Sequence, residues 1–371
     1  MSRPVSFLFL GETLLMPHLF PIVEALAASS DVPIDLWVST SVHEGLLKSW
    51  LPAASRVRIR RAPAFRKLKD TDGCNLPLPP KLVVLAGLAP RLLKSSAVVC
   101  AEQTSLLIPT LLPFPVPFVK TSHGVGSMSA RDDRRRRAPA LTLVPSERER
   151  QTYLDRGHAP SRIVSTGYVK AGFRQRTHRR LPFAEARPVV LYTPHWQPHR
   201  SSWHRWGRQV VEQLAGQADF NIVLAPHQRL VETAPELRRV LAEVAHLPHV
   251  HCDLDSFATV DGSYTEACDI YLGDTSSQVV EFLVRPRPCV FLNPGRADWK
   301  GDPAFAQWHC GEVVEQLDEV GAALRRASSL HEQFEERQRE FAASSLGDTS
   351  GAAPARAAEL ILEVSGGAEL V

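Results

Sequence analysis

Asp269-Ile-Tyr-Leu-Gly-Asp-Thr-Ser-Ser-Gln-Val-Val-Glu-Phe-Leu283 carries the signature that decides the fold. Ile270-Tyr-Leu272 is an apolar run of strand type, the residues from Gly273 to Ser276 are small turn formers, and an apolar helical face resumes at Val279. Strand, tight turn and helix form the unit from which parallel α/β sheets are built. Arg285-Pro-Arg-Pro-Cys-Val-Phe-Leu292 then supplies another buried strand. The turn at Asp274 therefore falls at the carboxyl edge of a parallel sheet, where open α/β sheets bind ligands. With a helix beginning near Ser276, the N–H groups and hydroxyls of Thr275, Ser276 and Ser277 point outward from its N-terminus, which suits a phosphate. A plain N-cap explains the same residues.

The pattern repeats on both sides. In the second half, Val189-Val-Leu-Tyr-Thr193, Phe220-Asn-Ile-Val-Leu224 and Val250-His-Cys252 read as further strands. Helices are predicted at about 206–215, 234–245, 313–327, 331–343 and 354–364. In the first half, Val5 to Leu10, Ile34 to Val38, Val57 to Ile59, Ala97 to Cys100, Val116 to Val119 and Leu141 to Val144 read as strands, the last closing that sheet. Helices are predicted at about 19–28, 43–50 and 81–93, and another after the N-cap Ser146. Residues 174–187 are basic, Pro-bearing and without apolar periodicity, so they read as a linker. The expected architecture is α/β, with Rossmann-like domains at 1–173 and 186–364 facing a central cleft.

A length of 371 residues suits two domains, and 44% hydrophobic with 22% charged residues is ordinary for a globular chain. The net charge of +3, from 43 basic and 40 acidic residues, is too balanced to make nucleic acid the main partner. Six cysteines without a C-x-x-C pair indicate neither a zinc ribbon nor a disulfide framework, and read as buried thiols in a reducing compartment. Val5 to Leu10 is too short for a leader and no stretch reaches the ~20 apolar residues of a membrane span. A cytoplasmic protein is expected. The run Arg131-Asp-Asp-Arg-Arg-Arg-Arg137 reads as a solvated loop or as a peripheral contact with the inner face of a membrane.

His123 follows a strand and is flanked by Gly124 and Gly126, which permit close approach of a ligand. A histidine so placed can take a proton from an attacking hydroxyl near neutral pH. A loop histidine bonded to backbone is the plainer reading. His227 holds the matching position after Phe220 to Leu224, where it can donate to a phosphate or a leaving group, or serve structure alone. His195, His199 and His204 invite a metal, but Pro194 and Pro198 break the helix that an i, i+4 ligand pair needs, so no metal or other cofactor is expected. With Trp196, Trp203 and Trp206, that loop reads better as a stacking cover for a base or substrate.

Taken in order, Ser122-His-Gly124, Val144-Pro-Ser146, Gly167-Tyr-Val-Lys170, Leu191-Tyr-Thr-Pro-His-Trp196, Ala225-Pro-His227, Asp274-Thr-Ser-Ser277, Phe282-Leu-Val-Arg-Pro-Arg-Pro288, Gly347-Asp348 and Ala355-Arg-Ala-Ala358 resemble the CDP-glycerol glycerophosphotransferase family of teichoic acid and capsule polymer synthesis. The resemblance runs through roughly residues 97–364; the first hundred residues match only as a generic Rossmann half. It implies a GT-B fold, a CDP-linked polyol phosphate donor held mainly by the second domain, and a polymer or lipid-linked acceptor. It makes His123 the base, His227 a second functional histidine, and Asp274 to Ser277 the turn beside the donor phosphates. Gly124, Thr193, His195, Trp196 and Glu281 complete the expected donor set. The chain departs from the family at Val125-Gly126, Gln228, Gly167-Tyr-Val-Lys170 and Thr275, all positions expected to line the cleft.

The same strand and turn order is similar to nucleotide-sugar glycosyltransferases of GT-B type and to UDP-N-acetylglucosamine 2-epimerases. A non-catalytic binding protein on the same scaffold is a third reading, because fold does not fix function.

Overall fold

A computed structural model describes residues 2–53, 55–69, 77–123, 125, 133–178 and 180–366. The chain divides into two compact units, Met1–Gln175 with Ser344–Val371, and Arg176–Ala343.

The first unit is built on seven strands: β1 (Val5–Phe9), β2 (Ile34–Thr40), β3 (Val57–Arg66), β4 (Ala97–Cys100), β5 (Phe118–Thr121), β6 (Leu141–Val144) and β7 (Ile163–Ser165). All pair in parallel, in the order β3-β2-β1-β4-β5-β6-β7. Every residue of β1, β2, β4, β5 and β6 is buried. Near-continuous apolar strands are what a sheet covered on both faces requires. Helices Phe20–Ser29, Ser41–Trp50, Lys81–Leu92 and Glu147–Asp155 belong to this unit. The edge strand β3 carries Arg58 and Arg60, which donate to Asp35 of β2 at 2.8 and 3.4 Å and leave a charged, unattractive edge.

The second unit repeats the design with β8 (Val189–Thr193), β9 (Asn221–Leu224), β10 (Val250–Cys252), β11 (Ile270–Gly273), β12 (Cys289–Leu292) and β13 (Glu312–Val314), again all parallel, in the order β10-β9-β8-β11-β12-β13. Both sheets follow the doubly wound order 3-2-1-4-5-6, with the first unit adding β7. In such a sheet the order in which strands are added reverses between the first and fourth strands. That reversal opens a crevice at the carboxyl edge, at β1/β4 in one unit and β8/β11 in the other.

Most expected elements are present, and three differ. Ile163–Ser165 extends the first sheet beyond Leu141–Val144, where the sequence reading ended it. The helix expected at 313–327 is a strand followed by a helix, Val320–Leu330: Gly311 lies against β12, where a Cβ would stand 2.3 Å from the Cys289 carbonyl oxygen, and lets β13 pair with its neighbour. The helix expected at 234–245 is present as Glu236–Val244, and a further short helix, Gln228–Thr233, precedes it, the two separated where Ala234 leaves helical geometry before Pro235. The last helix, Ala353–Ser365, was expected to close the second domain but belongs to the first unit. Its apolar face, with Ala357, Ala358 and Ile361 at most 1% exposed, packs against Phe20–Ser29.

The return of the chain to the first unit explains several of the motifs. Gly347 has φ +63° and stands against Pro145, Tyr168 N–H donates to the Asp348 carbonyl at 2.8 Å, and Arg356 Nε donates to the Thr166 carbonyl at 2.8 Å while its guanidinium pairs with the Asp348 carboxylate. Gly167, at φ +93°, leaves room for the Asp348 backbone. Val144-Pro-Ser146, Gly167-Tyr-Val-Lys170, Gly347-Asp348 and Arg356 are thus parts of one clasp. Arg287 has a similar office in the second unit. Its buried guanidinium donates to the carbonyls of Thr265 (2.7 Å), Arg285 (3.2 Å), Glu266 (3.3 Å), Cys268 and Phe282, and lies 3.6 Å above the Phe282 ring. Among the described residues no helix is long and apolar enough to cross a membrane.

Candidate functional site

At the β8/β11 crevice, the loop after β8 and the turn after β11 leave neighbouring strands, with Thr193 and Gly273 in register. Asp274 binds them together. Its carboxylate accepts the N–H of His195 at 2.8 Å and that of Ser202 at 3.0 Å, and the residue is 1% exposed. Burial without a cation raises its pKa to about 7, against the pull of those N–H groups. Thr275 is also turned inward, its hydroxyl shared between the Ala304 carbonyl at 2.9 Å and the Gln307 side-chain oxygen at 3.0 Å. Asp274 and Thr275, expected beside the donor phosphates, therefore shape the turn from within. Ser276 caps the helix Ser277–Phe282 by accepting Gln278 N–H at 3.2 Å, and Ser277 and Glu281 are half-buried on it. The Thr193 hydroxyl donates to Gln278 Oε1. Gln278 was not singled out from the sequence, although its place just behind a serine cap is where a second polar tie is expected.

His195, Trp196 and His227 come together because β8 and β9 are adjacent. The His195 and His227 rings are 5.8 Å apart and Trp196 lies 6.3 Å from His227. Arg229 sits 5.1 Å above the Trp196 ring, a cation–π contact not foreseen from the sequence although Arg229 follows His227 by only two residues. Each histidine closes a small turn through the same atom: His195 Nδ1 accepts Gln197 N–H and His227 Nδ1 accepts Arg229 N–H, both at 3.1 Å. An imidazole nitrogen that accepts carries no proton, so both neutral rings bear their hydrogen on Nε2. Desolvation, then the positive charge of Arg200, holds the His195 pKa down at about 4. For His227 desolvation, then His195 and Arg229, brings it to about 3. The pair is neutral at physiological pH and offers two Nε2–H donors. His199, from the same sequence cluster, also acts electrostatically on His195, but among the described residues no ring contact joins His199 or His204 to the pair.

In the first unit His123 follows β5. Its Nδ1 lies 2.7 Å from the Ala101 carbonyl, at the end of β4 and hence beside the β1/β4 crevice. A carbonyl can only accept, so Nδ1 carries the proton and Nε2 the lone pair of the neutral ring. That tautomer is the one a general base needs. Buried His18 lies in the same neighbourhood. Desolvation, then repulsion from Lys170 and His123, keeps its pKa well below the usual value, so it is neutral. Ser122 donates to Glu149 at 2.8 Å, and burial raises the Glu149 pKa. Thr121, Ser122, Val144, Pro145, Thr166 and Gly167 line a small pocket at the ends of β5, β6 and β7. Gly124, expected beside the donor, lies outside the described residues, as do Arg131 and Asp132 of the charge run. Of its arginines, Arg135 pairs with Asp133 and Arg136 stands 6.0 Å from the Tyr153 ring centroid.

Two sheets of order 3-2-1-4-5-6 with polar loops at their carboxyl edges describe a double-Rossmann scaffold, and solved structures share it along their whole length. Its fold is GT-B. The chain is similar to the S. aureus MnaA–UDP co-structure (TM-score 0.67, 13% identity, 98% of this chain and 96% of that one). It is similar also to the UDP-GlcNAc 2-epimerase of Methanocaldococcus jannaschii (TM-score 0.60, 13% identity, 98% and 99%). A third such structure is the sucrose-phosphate synthase of Thermosynechococcus elongatus (TM-score 0.54, 14% identity, 99% and 100%). No family model and no curated protein matches the chain.

Proposed function

We propose that the chain is an enzyme acting on a nucleoside-diphosphate sugar, with the nucleotide held at the β8/β11 crevice of the second unit. The observation that carries this reading is the pair of neutral histidines, His195 and His227, each with Nδ1 occupied by a backbone N–H and Nε2–H left as donor. Two preset donors on adjacent loops suit the oxygens of a diphosphate, and Ser276 and Ser277 on the next loop add hydroxyls. Trp196, with Arg229 on its face, offers a flat surface for the base or sugar. Thr193 ends β8 and donates to Gln278, and Glu281 lies on the same short helix as Gln278, while Asp274 and Thr275 keep the loops in place. His123 acts as the base on the hydroxyl or carbon acid that reacts, its Nε2 lone pair fixed by the bond to Ala101. The solved structures with this fold include one in complex with UDP, which favours a uridine nucleotide.

The second reading is transfer of a polyol phosphate from a CDP donor to a polymer or lipid-linked acceptor. It is favoured by the motif series from Ser122-His-Gly124 to Arg356. It is weakened because Gly167, Asp348 and Arg356 serve the clasp in the first unit, a structural reason for their presence. Incubation with UDP-sugars and with CDP-glycerol separates the readings: release of UDP or a change of sugar configuration supports the first, and release of CMP the second. His123→Ala is expected to lower turnover by roughly 10²–10⁴-fold with nucleotide affinity retained. Unchanged turnover, or failure of all these nucleotides to bind, removes the proposal.

A further inference from the structure

Another set of side chains in the second unit, remote in sequence from the histidine pair, is assembled as a chelate. His178 lies near the start of that unit, His251 is the central residue of β10, and Asp253 follows the same strand. Their ligating atoms all lie within 4.8 Å of one another, and no other group of three such residues is found among the described residues.

Two of the three are already tied together. Asp253 accepts the N–H groups of Asp255 (3.2 Å) and Ser256 (3.0 Å), the Ser256 hydroxyl and the Tyr264 hydroxyl (2.5 Å). Because the one hydroxyl proton of Tyr264 goes to Asp253, the phenol oxygen must accept from His251 Nε2, 2.9 Å away. The Tyr264 bond fixes the ring, and with Nε2–H spent on it the lone pair of the neutral imidazole is on Nδ1, the atom left to a metal. Those bonds need no third member, yet the His178 ring stands 6.1 Å from His251 and 6.0 Å from Tyr264. Backbone bonds hold it there: Thr177 N–H donates to Asp261 at 2.6 Å and His178 N–H to the Ser263 hydroxyl at 3.0 Å.

We propose that His178, His251 and Asp253 bind one divalent cation of the zinc class, which clips the first residues of the second unit to its edge strand. Two imidazoles and one carboxylate are the donors that zinc and cobalt accept, whereas magnesium and calcium require mostly oxygen. Bonds of about 2.0–2.2 Å place tetrahedral ligands about 3.3–3.5 Å apart. The group therefore contracts by little more than an ångström at its widest. Asp253 accepts four hydrogen bonds, so it gives up one of them, that of the Ser256 hydroxyl, to ligate the metal, and water completes the shell.

The test uses the full chain, freed of metal by a chelator and titrated with Co²⁺, whose visible absorption reports its ligands. One Co²⁺ per chain is expected, displaced by Zn²⁺, with Zn²⁺ raising the Tm. His178→Ala and His251→Ala are expected to weaken binding by more than the roughly 10–100-fold that outer partners of a metal site carry. His246→Ala, at an exposed position elsewhere, leaves it unchanged. The His178 ring makes only ring contacts among the described residues, so His178→Ala keeps the fold, and an unaltered metal-free Tm verifies this. Absence of stoichiometric Co²⁺ binding in the parent chain, or binding undiminished by His178→Ala, overturns the proposal.

Discussion

His195 and His227 lie with their rings 5.8 Å apart, and in each the Nδ1 atom is spent on closing its own backbone turn. The two Nε2–H groups are then available for a ligand without any change of protonation. A hydrogen bond from a neutral donor to a charged acceptor contributes about 1.5–3 kcal/mol, or roughly 10–100-fold in affinity. His195→Ala and His227→Ala are each expected to weaken nucleotide binding by that factor in calorimetry. Above about pH 5 the affinity should not follow either imidazole, since both are already neutral there.

Stability carries the opposite sensitivity. An unfolded chain protonates its histidines near pH 6.5, whereas folded His227 resists protonation down to about 3. Between those values the unfolded state binds the extra proton, so stability rises with pH through this window and falls as the solution is acidified. Asp274 works in the other direction, because its folded pKa of about 7 lies above the unfolded value and ionisation costs stability as pH rises. His227→Gln should therefore lose less stability than the parent on going from about pH 6.5 to 4, in urea titrations at each pH. Parallel curves for the two proteins would count against a buried, neutral His227.

Arg287 is expected to be among the costliest surface-to-core positions to alter. Its guanidinium serves five backbone carbonyls, and Arg287→Met removes that donor from all of them, the Glu266 carbonyl keeping a bond from Arg285, at about 3 kcal/mol or more. Arg287→Lys should recover only a part, because an ammonium has three donors at one point and cannot span the same acceptors. Chemical denaturation of the three proteins measures both effects.

Gly347 combines a left-handed backbone, φ +63°, with a Cβ position only 2.2 Å from the Pro145 carbonyl oxygen. Gly347→Ala should cost at least about 1–3 kcal/mol from backbone conformation alone. Gly351, which has φ +91° and open space around its Cβ position, is the matched control and should show the conformational cost without the clash. A thermal melt of each variant distinguishes the two contributions.

The strands were legible because buried parallel strands are short apolar runs, and Val189–Thr193, Ala97–Cys100 and Cys289–Leu292 are unbroken ones. Ile163–Ser165 escaped notice because three residues at a sheet edge carry little pattern. Glu312–Val314 was hidden by the charged residues after it, which suit a helix. At the candidate site, His195, Trp196 and His227 could be found from their places behind strands. The inward roles of Asp274 and Thr275 could not, since a cap, a loop tie and a phosphate turn all use the same small polar residues. His178, His251 and Asp253 were invisible because the approach of residues this far apart in sequence is a property of tertiary packing.

The order in which the chain visits its two units has a practical outcome for anyone who cuts it. The unit Arg176–Ala343 is one unbroken stretch inserted in the sequence of the other, which needs both flanking pieces. A stop codon after Ala343 would therefore injure the opening half of the protein, by stripping the helix Ala353–Ser365 from Phe20–Ser29, while sparing the half it adjoins. Joining residue 175 directly to residue 344 is the surgery that respects the architecture, and the inserted stretch is the natural cassette to exchange.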